Sequence, residues 1–407
     1  PSLLFGIDLS AYGSGINSVA VHQGLVAAAV ENAIKTEPGK VVLMNVDGQV
    51  QAAVNVGALP DMLTFTADGR HILVANEGEP SDDYQQDPEG SVSIIDLPSR
   101  LSRLRQSDVR TADFRRFSRA QLDSSVRIFG PNASVAQDLE PEYISVDKDG
   151  RRAWITLQEN NAVAELDIRR GRITAVHGLG YKDHSLSGNE LDASDKDNAV
   201  TIRNWPIRGL YQPDAISNFK HHGKTYLVTA NEGDARAWGE DNDAYWAGDA
   251  SKGFVEEFRV KHLVNRNGWA GRAGDDLPPQ LNALAAGGLL DPATFGYCGA
   301  VAGNPGNCRA DDQLGRLNIS WTMGYRMNPD GSPVKFNASG VQDPNGNRLM
   351  YDQLYSYGAR SFSIWNANGT LVWDSGSAIE KFIASADCKL GKDRSIPCAT
   401  YFNSGHD

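Results

Sequence analysis

The sequence lacks any apolar stretch long enough to cross a membrane as a helix, for which about 20 consecutive apolar residues are needed. It is also short of positive charge, with 39 Lys and Arg against 51 Asp and Glu, a net charge of −12. No basic patch with interleaved aromatic residues is present, so neither nucleic acid nor an anionic membrane is an expected partner. The acidic balance suits a protein that binds cations.

Cysteine is scarce as well, with four residues that form two local pairs, Cys298 with Cys308 and Cys388 with Cys398. A zinc site would instead use Cys-x-x-Cys pairs or histidines. The pairs predict two short-loop disulfides and hence an oxidising compartment. The expected location is secreted, extracellular or at the cell surface, with the periplasm as an alternative. The start at Pro1 without a methionine predicts a processed or trimmed product.

Long helical periodicity is missing, whereas glycine is abundant, at 41 residues. Asn-Gly and Asp-Gly pairs recur between short β-rich runs, a pattern typical of hairpins. The most complete example is residues 59–97, in which Asp68-Gly69 joins two strand-like runs and an acidic loop leads to a third. This composition predicts an all-β chain with many turns.

The order of strand, hairpin, strand and acidic turn recurs along the chain. We therefore expect an all-β fold, a β-propeller of about six to seven four-stranded blades, with long loop insertions on one face. The blades are expected to form one domain over residues 1–407, either complete or trimmed at both ends. The blade-like units lie near 16–57, 59–97, 139–178, 212–260 and 314–374, with an irregular insertion at 237–312.

Carboxylates recur at matched positions of these units, one at the start of the first strand and a glutamate after the second. Because the two strands of a hairpin run in opposite directions, these positions lie at the same end. If the first strand is innermost, the carboxylates surround one mouth of the central channel and predict a site for Ca²⁺ or another hard divalent metal. The alternative is that they are turn formers and solvated charges. The predicted ligands are Asp61, Glu77, Glu79, Glu142, Glu159, Asp214, Glu232 and Asp234.

The acidic loop of residues 77–89 holds six carboxylates within 13 residues. These charges repel one another in water. The loop is therefore expected to be either freely solvated or neutralised by a cation, for which Ca²⁺ is the natural candidate.

Basic residues close to the motifs predict a chemical role. Arg203 and Arg236 could bind phosphate oxygens through both nitrogens of a guanidinium group, and His184 could act as acid or base. The chain has no G-x-S-x-G motif and no Ser, His and Asp set that can be ordered along it. That favours metal-activated water over a covalent nucleophile.

Long runs of the chain resemble the choice-of-anchor I family. They include NSVAVHQGLVAAAVE, GALPDMLTFTADGRHILVANEGEPSDDYQQDPEGSVSIIDL, RIFGPNASVAQDLEPEYISVDKDGRRAWITLQENNAVAELDI and TYLVTANEGDAR. The resemblance implies a secreted or surface propeller-like protein, and the family includes sequences described as mesenchyme-specific cell-surface glycoproteins and as atypical alkaline phosphatases. Members usually extend beyond both ends of this chain, so either the ring closes with fewer blades or the chain is part of a longer product.

Two functions are compatible with these observations. The first is a metal-dependent phosphoester hydrolase acting on a small phosphoester, with water activated by Ca²⁺ at the carboxylates. The second is a non-enzymatic surface, adhesion or matrix protein that uses Ca²⁺ for stability and binds a surface or matrix partner or a copy of itself. The arginines discriminate between them. A hydrolase needs Arg203 or Arg236 in the acidic mouth, whereas a surface protein would pair them with carboxylates in structural salt bridges.

Overall fold

The structure, a computed structural model, describes residues 5–263 and 278–401. Within these ranges the helices are short, and α6 is the longest with seven residues. None of the described helices is long and apolar enough to cross a membrane. The α-helices in these ranges are α1 (Val135–Asp138), α2 (Asp243–Trp246), α3 (Val260–Leu263), α4 (Pro279–Leu284), α5 (Pro292–Phe295) and α6 (Ala378–Ala384).

Three consecutive four-stranded antiparallel sheets form the N-terminal part of the chain, and in each the strands neighbour one another in chain order. The first sheet contains β1 (Gly15–His22), β2 (Leu25–Glu31), β3 (Pro38–Asn45) and β4 (Val50–Ala58). The second contains β5 (Pro60–Phe65), β6 (His71–Asn76), β7 (Ser91–Asp96) and β8 (Val109–Asp113). The third contains β9 (Ile144–Val146), β10 (Arg152–Leu157), β11 (Ala162–Asp167) and β12 (Arg172–Gly178).

The turn between β5 and β6 shows why the hairpin signal was informative. Gly69 has a φ of +66°, a conformation that glycine adopts at little steric cost. Asp68 accepts a hydrogen bond from the backbone N–H of Arg70, which closes the turn locally. The predicted hairpin at Asp68-Gly69 is therefore present.

Side chains of successive strand residues pack into two different cores. On β6, Ile72 and Val74 belong to the core shared with the first sheet, whereas Leu73 and Ala75 belong to the core shared with the third sheet. All four are fully buried. Side chains alternate across a strand, so a sheet that is covered on both faces needs apolar residues at every position. The continuous apolar run of β6 is the consequence.

The segment of residues 98–121 contains seven arginines with scattered Leu and Phe, a composition that predicts a surface helix or excursion with a solvated charged face. That prediction is partly wrong. The segment contains short 3-10 turns, but residues Val109–Asp113 form β8, which pairs with β7 and completes the second sheet. The strand was missed because Arg110 and Asp113 place a charge on each face of its VRTAD run. Arg110, on the same face as the buried Ala112, binds Asp96 on β7 through two nitrogens, each 2.8 Å from a carboxylate oxygen.

The remaining strands are shorter and less regular. They are β13 (Tyr181–Asp183), β14 (Arg208–Leu210), β15 (Ala215–His221), β16 (Lys224–Asn231), β17 (Ala237–Trp238), β18 (Phe254–Val255), β19 (Glu257–Arg259), β20 (Gly288–Leu290), β21 (Asn318–Ser320), β22 (Leu349–Tyr351), β23 (Tyr355–Ser356), β24 (Ser361–Asn366), β25 (Leu371–Asp374), β26 (Lys389–Leu390) and β27 (Ile396–Pro397).

The fourth four-stranded sheet joins distant parts of the chain, in the order β15-β16-β24-β25. Strands expected in separate units near 212–260 and 314–374 therefore share one sheet. The buried indole N–H of Trp365 on β24 donates to the hydroxyl of Thr229 on β16 at 2.8 Å. A repeat pattern locates a strand, but it does not say which distant strand covers its edge.

The chain separates into two compact units. The first contains the described residues up to Gly180 together with Gln212–Ala230 and Ser363–Trp373. The second contains Tyr181–Tyr211 and the described parts of Asn231–Phe362 and of the chain from Asp374 onward. Its main sheet has five strands in the order β13-β14-β23-β21-β19, with a parallel pair between β14 and β23.

Two disulfides brace the second unit. Cys298 pairs with Cys308 at a Cα–Cα distance of 5.0 Å, and Cys388 pairs with Cys398 at 5.4 Å. The predicted pairing is confirmed. The predicted fold class, all-β with propeller-type blades, is confirmed by the repeated four-stranded antiparallel sheets.

Candidate functional site

The strand ends of the first unit bring the predicted carboxylates to one end of each sheet. The backbone N–H of Glu77 donates to the carbonyl of Leu59, next to the start of β5. Likewise, the N–H of Glu142 donates to the carbonyl of Thr156, near the end of β10. Antiparallel pairing therefore fixes the start of the first strand beside the end of the second, as the hairpin argument requires.

The first strands of successive sheets also lie next to one another, because β5 contacts both β1 and β9, and β9 contacts β15. The carboxylates at their ends consequently meet. We call the resulting group the carboxylate cluster. Its members are the predicted ligands whose charges act on one another, and they are Asp61, Glu77, Glu79, Glu142, Glu159 and Asp214. The charge of Glu140 also acts on Glu142.

Two glutamates of the carboxylate cluster strongly favour their protonated form. Burial raises the pKa of Glu77 well above its ordinary value, and the negative charge of Glu79 adds to the effect. Burial raises the pKa of Glu142 in the same way, followed by the charge of Glu159. Glu77 lies beside Glu79, and Glu142 lies beside Glu159. The neighbouring carboxylate adds to the effect of burial, so Glu77 and Glu142 are the groups of the cluster that most favour a proton.

Asp61 titrates at a higher pH than a solvated aspartate. Burial raises its pKa to about 6, and the charge of Asp214 contributes. One carboxylate oxygen of Glu159, Oε2, is buried and has no hydrogen-bond partner among the described residues. Glu77 and Glu142 retain some solvent-accessible surface. The cluster is therefore crowded with negative groups, incompletely satisfied, and open to an ion from solvent.

The donor set fits a hard cation, since Ca²⁺ binds carboxylate oxygens in flexible geometry. In residues 5–263 and 278–401, however, no group of three or more Asp, Glu, His or Cys side chains is arranged as metal ligands. Binding a cation would require Glu77 and Glu142 to lose the protons that burial favours and the side chains to turn toward the ion.

The acidic loop of residues 77–89 is partly neutralised by basic side chains. Lys35 lies 3.7 Å from Glu79 and 3.2 Å from Asp82. Arg115 bonds Glu89 at 2.6 Å. Sequence reasoning did not find these partners because Lys35 and Arg115 belong to other segments of the chain.

Two predicted ligands belong to the second unit. Glu232 and Asp234 follow β16 and are exposed. Asp234 accepts a hydrogen bond at 2.7 Å from the backbone N–H of the next residue, Ala235, and it lines a cavity described below. Their role as metal ligands stays a prediction.

His184, predicted as an acid or base, is a buried residue of the second unit with 1% of its surface exposed. Its Nδ1 lies 2.7 Å from the carbonyl oxygen of Asn189, and its ring packs against the backbone of Gly209. Burial lowers its pKa to about 3. The imidazole is therefore neutral at physiological pH. It is also buried within the packed unit, which argues against a catalytic role.

The two predicted phosphate-binding arginines differ in environment. Arg203 is exposed, donates to the side-chain oxygen of Gln313 at 3.0 Å, and stacks 3.9 Å above the ring of Trp205. Arg236 is 1% exposed. The contacts of Arg203 are structural, and catalysis by either arginine stays a prediction.

Sequence reasoning missed the asparagines beside the glutamates. Asn76, immediately before Glu77, is fully buried, and its amide donates to the hydroxyls of Ser91 and Ser93. Asn160, immediately after Glu159, donates to the carbonyls of Arg127 and Asp138 and accepts from the N–H of Glu140. These amides hold the strand ends in place. The repeated Asn-Glu-Gly of residues 76–78 and 231–233 was the signal that could have identified the first of them.

Comparison with solved structures gives only distant likenesses. They include hydrazine synthase from Kuenenia stuttgartiensis, at 13% identity over 53% of this chain and 54% of that chain, with a TM-score of 0.30. They also include the Cps50 (Swd1) β-propeller domain from Myceliophteria thermophila, at 10% identity over 53% and 47%, with a TM-score of 0.30. The β-propeller domain of the trilobed protease from Pyrococcus furiosus matches at 10% identity over 53% and 48%, with a TM-score of 0.27.

These matches span about half of each relative's length, and likeness at this level carries no argument about function. No curated protein matches the chain. The family comparison is much more extensive, since the choice-of-anchor I domain matches residues 1–390. The chain therefore belongs to the choice-of-anchor I family.

Proposed function

We propose that this protein is a surface-associated, propeller-type protein whose carboxylate cluster binds a divalent cation, with Ca²⁺ as the preferred ion. The observation that carries the proposal is the pairing of Glu77 with Glu79 and of Glu142 with Glu159 at the ends of neighbouring strands. Carboxyls held this close favour a neutralising group between them, which is either a shared proton or a cation. At neutral pH and millimolar calcium, as outside cells, the cation is the better competitor.

A bound Ca²⁺ would supply positive charge that cross-links the strand ends. Glu77 and Glu79 come from the second sheet, Glu142 and Glu159 from the third, and Asp214 precedes β15 of the fourth. Residues of three sheets would thus share one ion. The gain in free energy of unfolding is about 2.7 kcal/mol when free calcium is 100 times its dissociation constant.

We favour a non-enzymatic surface, adhesion or matrix role over phosphoester hydrolysis. A hydrolase needs an acid or base and phosphate-binding groups near the metal. The buried, neutral His184 and the stacked Arg203 do not support that requirement. The two disulfides support a secreted or cell-surface location, because such bonds persist in oxidising compartments.

The test is metal analysis of the purified protein together with its melting temperature before and after chelation. Bound calcium in near-stoichiometric amount and a lower melting temperature in EDTA are expected. The Glu77→Gln/Glu142→Gln variant should bind less calcium and respond less to EDTA. Asp149→Asn is the matched control, since Asp149 is an exposed carboxylate paired with Lys220 at 2.9 Å. Equal calcium content and equal EDTA response in both variants would exclude the carboxylate cluster as the binding site.

Hydrolysis of p-nitrophenyl phosphate and of its bis-ester separates the two functional hypotheses. We expect no turnover above that of the double variant. Chelator-sensitive turnover that the double variant loses would instead assign the cluster to a hydrolase.

A further inference from the structure

The second unit contains two adjoining cavities, of about 710 and about 300 Å³, that share the lining residues Glu240, Glu257 and Asn318. Together we call them the polar groove. Each falls within the range of known ligand sites, roughly 300–1,000 Å³. None of its lining residues belongs to the carboxylate cluster, so its function is independent of the proposed calcium site.

The groove carries charges of both signs in equal number, which argues against a strongly charged ligand. Its larger part is lined by three carboxylates, Glu240, Asp241 and Glu257, and by three cations, Arg259, Lys261 and Arg316. A site for a phosphate or sulfate would present an excess of guanidinium or ammonium groups. A site for an apolar molecule would be lined mainly by hydrophobic side chains.

The cations of the groove are largely engaged by the protein. Arg316 binds Asp195 through two nitrogens at 2.5 and 2.9 Å. Arg259 donates to the backbone carbonyl of Arg316. Lys261 lies 3.7 Å from Asp311, and burial followed by the charge of Arg316 lowers its pKa. The arrangement places hydrogen-bond donors at the groove without a surplus of positive charge.

The carboxylates offer acceptors on the same surface. Glu240 and Asp241 are exposed, and Glu257 is fixed by a 2.9 Å hydrogen bond from the amide of Asn318. Glu257 and Asn318 lie on paired strands, because β19 pairs with β21. Acceptors and donors on rigid strands suit a ligand with many hydroxyl groups, each of which can donate and accept.

An aromatic side chain completes the groove. Trp246 is half-buried and lines the larger cavity. Its indole N–H donates a hydrogen bond to the backbone carbonyl of Glu240. Its ring packs edge-on against Tyr245 at 4.9 Å, so its orientation is fixed. An indole face next to carboxylate and amide groups can pack against the C–H face of a sugar ring while the neighbouring groups bind its hydroxyls.

The smaller cavity is bounded by a close crossing of two backbone segments. A Cβ on Gly233 would lie 1.9 Å from the backbone nitrogen of Gly358, and one on Gly358 would lie 1.8 Å from the carbonyl oxygen of Glu232. Only glycine permits this approach. The crossing places Asp234 and Tyr357 in the lining of that cavity.

We propose that the polar groove of the second unit binds a neutral oligosaccharide, with Trp246 as the stacking surface and Glu257, Asp241 and Asn318 as hydroxyl-binding groups. The occupant is identified by the balanced charge, the polar lining and the fixed indole. For a protein located at a surface, such a groove would recognise a glycan.

Binding is measured by saturation-transfer NMR and calorimetry with a panel of neutral tri- and tetrasaccharides built from glucose, mannose, galactose and N-acetylglucosamine. At least one is expected to bind saturably at millimolar concentration or below. Trp246→Ala and Asp241→Asn should each weaken binding by about tenfold, which is 1.4 kcal/mol. Asp241 is exposed, so its variant is expected to fold normally even if loss of the indole disturbs the region.

Two controls keep the outcome specific. Trp373→Ala removes a tryptophan on β25 that is 47% exposed and lies outside the groove, and it should leave binding unchanged. Glu77→Gln/Glu142→Gln should also bind the saccharide normally, which separates this inference from the calcium proposal. No saturable binding by any saccharide of the panel, or an equal loss of binding in the Trp373→Ala control, would each overturn the proposal.

Discussion

Protonation of single carboxyl groups controls the properties of the carboxylate cluster. Glu77, Glu142 and Asp61 all have pKa values above those of solvated carboxyls, with burial as the largest cause in each case. Such groups stabilise the folded state fully below their unfolded pKa, and that contribution is lost as the pH rises through the folded pKa. Without a cation, the cluster is therefore a source of instability at neutral pH.

The first residue-scale prediction concerns Asp61→Asn, which mimics the protonated side chain. The pKa of Asp61 moves from 3.8 to about 6 on folding, so the benefit of the substitution should be absent near pH 4 and present at pH 7. In EDTA we expect the melting temperature of the variant to exceed that of the wild type at pH 7 by about 2–4 °C. With excess calcium the order should reverse, because the variant loses a ligand.

Asp149→Asn is the control for this experiment. A hydrogen bond from Lys220 lowers the pKa of Asp149, so its neutralisation should bring no gain at pH 7. A melting-temperature difference for Asp61→Asn that stays the same between pH 4 and pH 7 would contradict the titration argument.

Much of the carboxylate cluster could be predicted because its geometry is local. A hairpin brings the start of its first strand beside the residue that follows its second strand. The hairpin at Asp68-Gly69 was therefore enough to predict that Asp61 and Glu77 lie close together. The burial of His184, by contrast, depends on packing against Gly209, which lies on β14. Long-range packing of this kind leaves no trace in a short motif.

At the scale of the element, β6 shows how one strand serves two cores. Ile72 faces the first sheet and Leu73 faces the third, and both are 0% exposed. We expect Ile72→Ala and Leu73→Ala each to lower the free energy of unfolding by about 2–5 kcal/mol in urea titrations. Val19→Ala on β1, where the side chain is 58% exposed, should change it by less than about 0.5 kcal/mol. A near-neutral result for either β6 variant would mean that one face of the second sheet is not covered.

The backbone crossing at Gly233 permits a second element-scale prediction. Gly233→Ala introduces both a positive-φ penalty and a clash with Gly358, since its φ is +93°. Gly223→Ala introduces only the positive-φ penalty, because the φ of Gly223 is +75° and no atom lies within 4 Å of the added Cβ. We expect the control to cost about 1–2 kcal/mol and Gly233→Ala to cost clearly more in thermal unfolding. Equal costs would show that the segments separate easily.

Elements were predictable where pairing is sequential. The strands of the first three sheets follow one another along the chain, and most were visible as β-rich runs between Gly turns. β8 was the exception, because Arg110, which bonds Asp96, lies on the same face as the buried Ala112 and interrupts the apolar alternation. The pairing of β16 with β24 could not be predicted, because the two strands are far apart in the sequence and no hairpin connects them.

At the scale of the whole molecule, all four cysteines lie in the second unit, and the first unit has none. Reduction should therefore destabilise only the second unit, by about 2–3 kcal/mol for each short loop closed by a disulfide. In scanning calorimetry with a reductant, we expect one part of the unfolding transition to shift to lower temperature while the rest stays in place. The Cys298→Ser/Cys308→Ser variant should show part of the same shift without reductant. A single transition that moves as a whole would contradict this independence.

The divided fourth sheet has a consequence for how the protein is made. Asn231 at the end of β16 is 130 residues before Ser361 at the start of β24, its partner in the same sheet. At a synthesis rate of about 5–20 residues per second, roughly ten seconds separate the appearance of the two strands. During that interval the new edge of β16 has no strand to cover it, and open edges are the places where nascent β-proteins associate wrongly. A chaperone that recognises extended strands would have its critical task at this stage of translation.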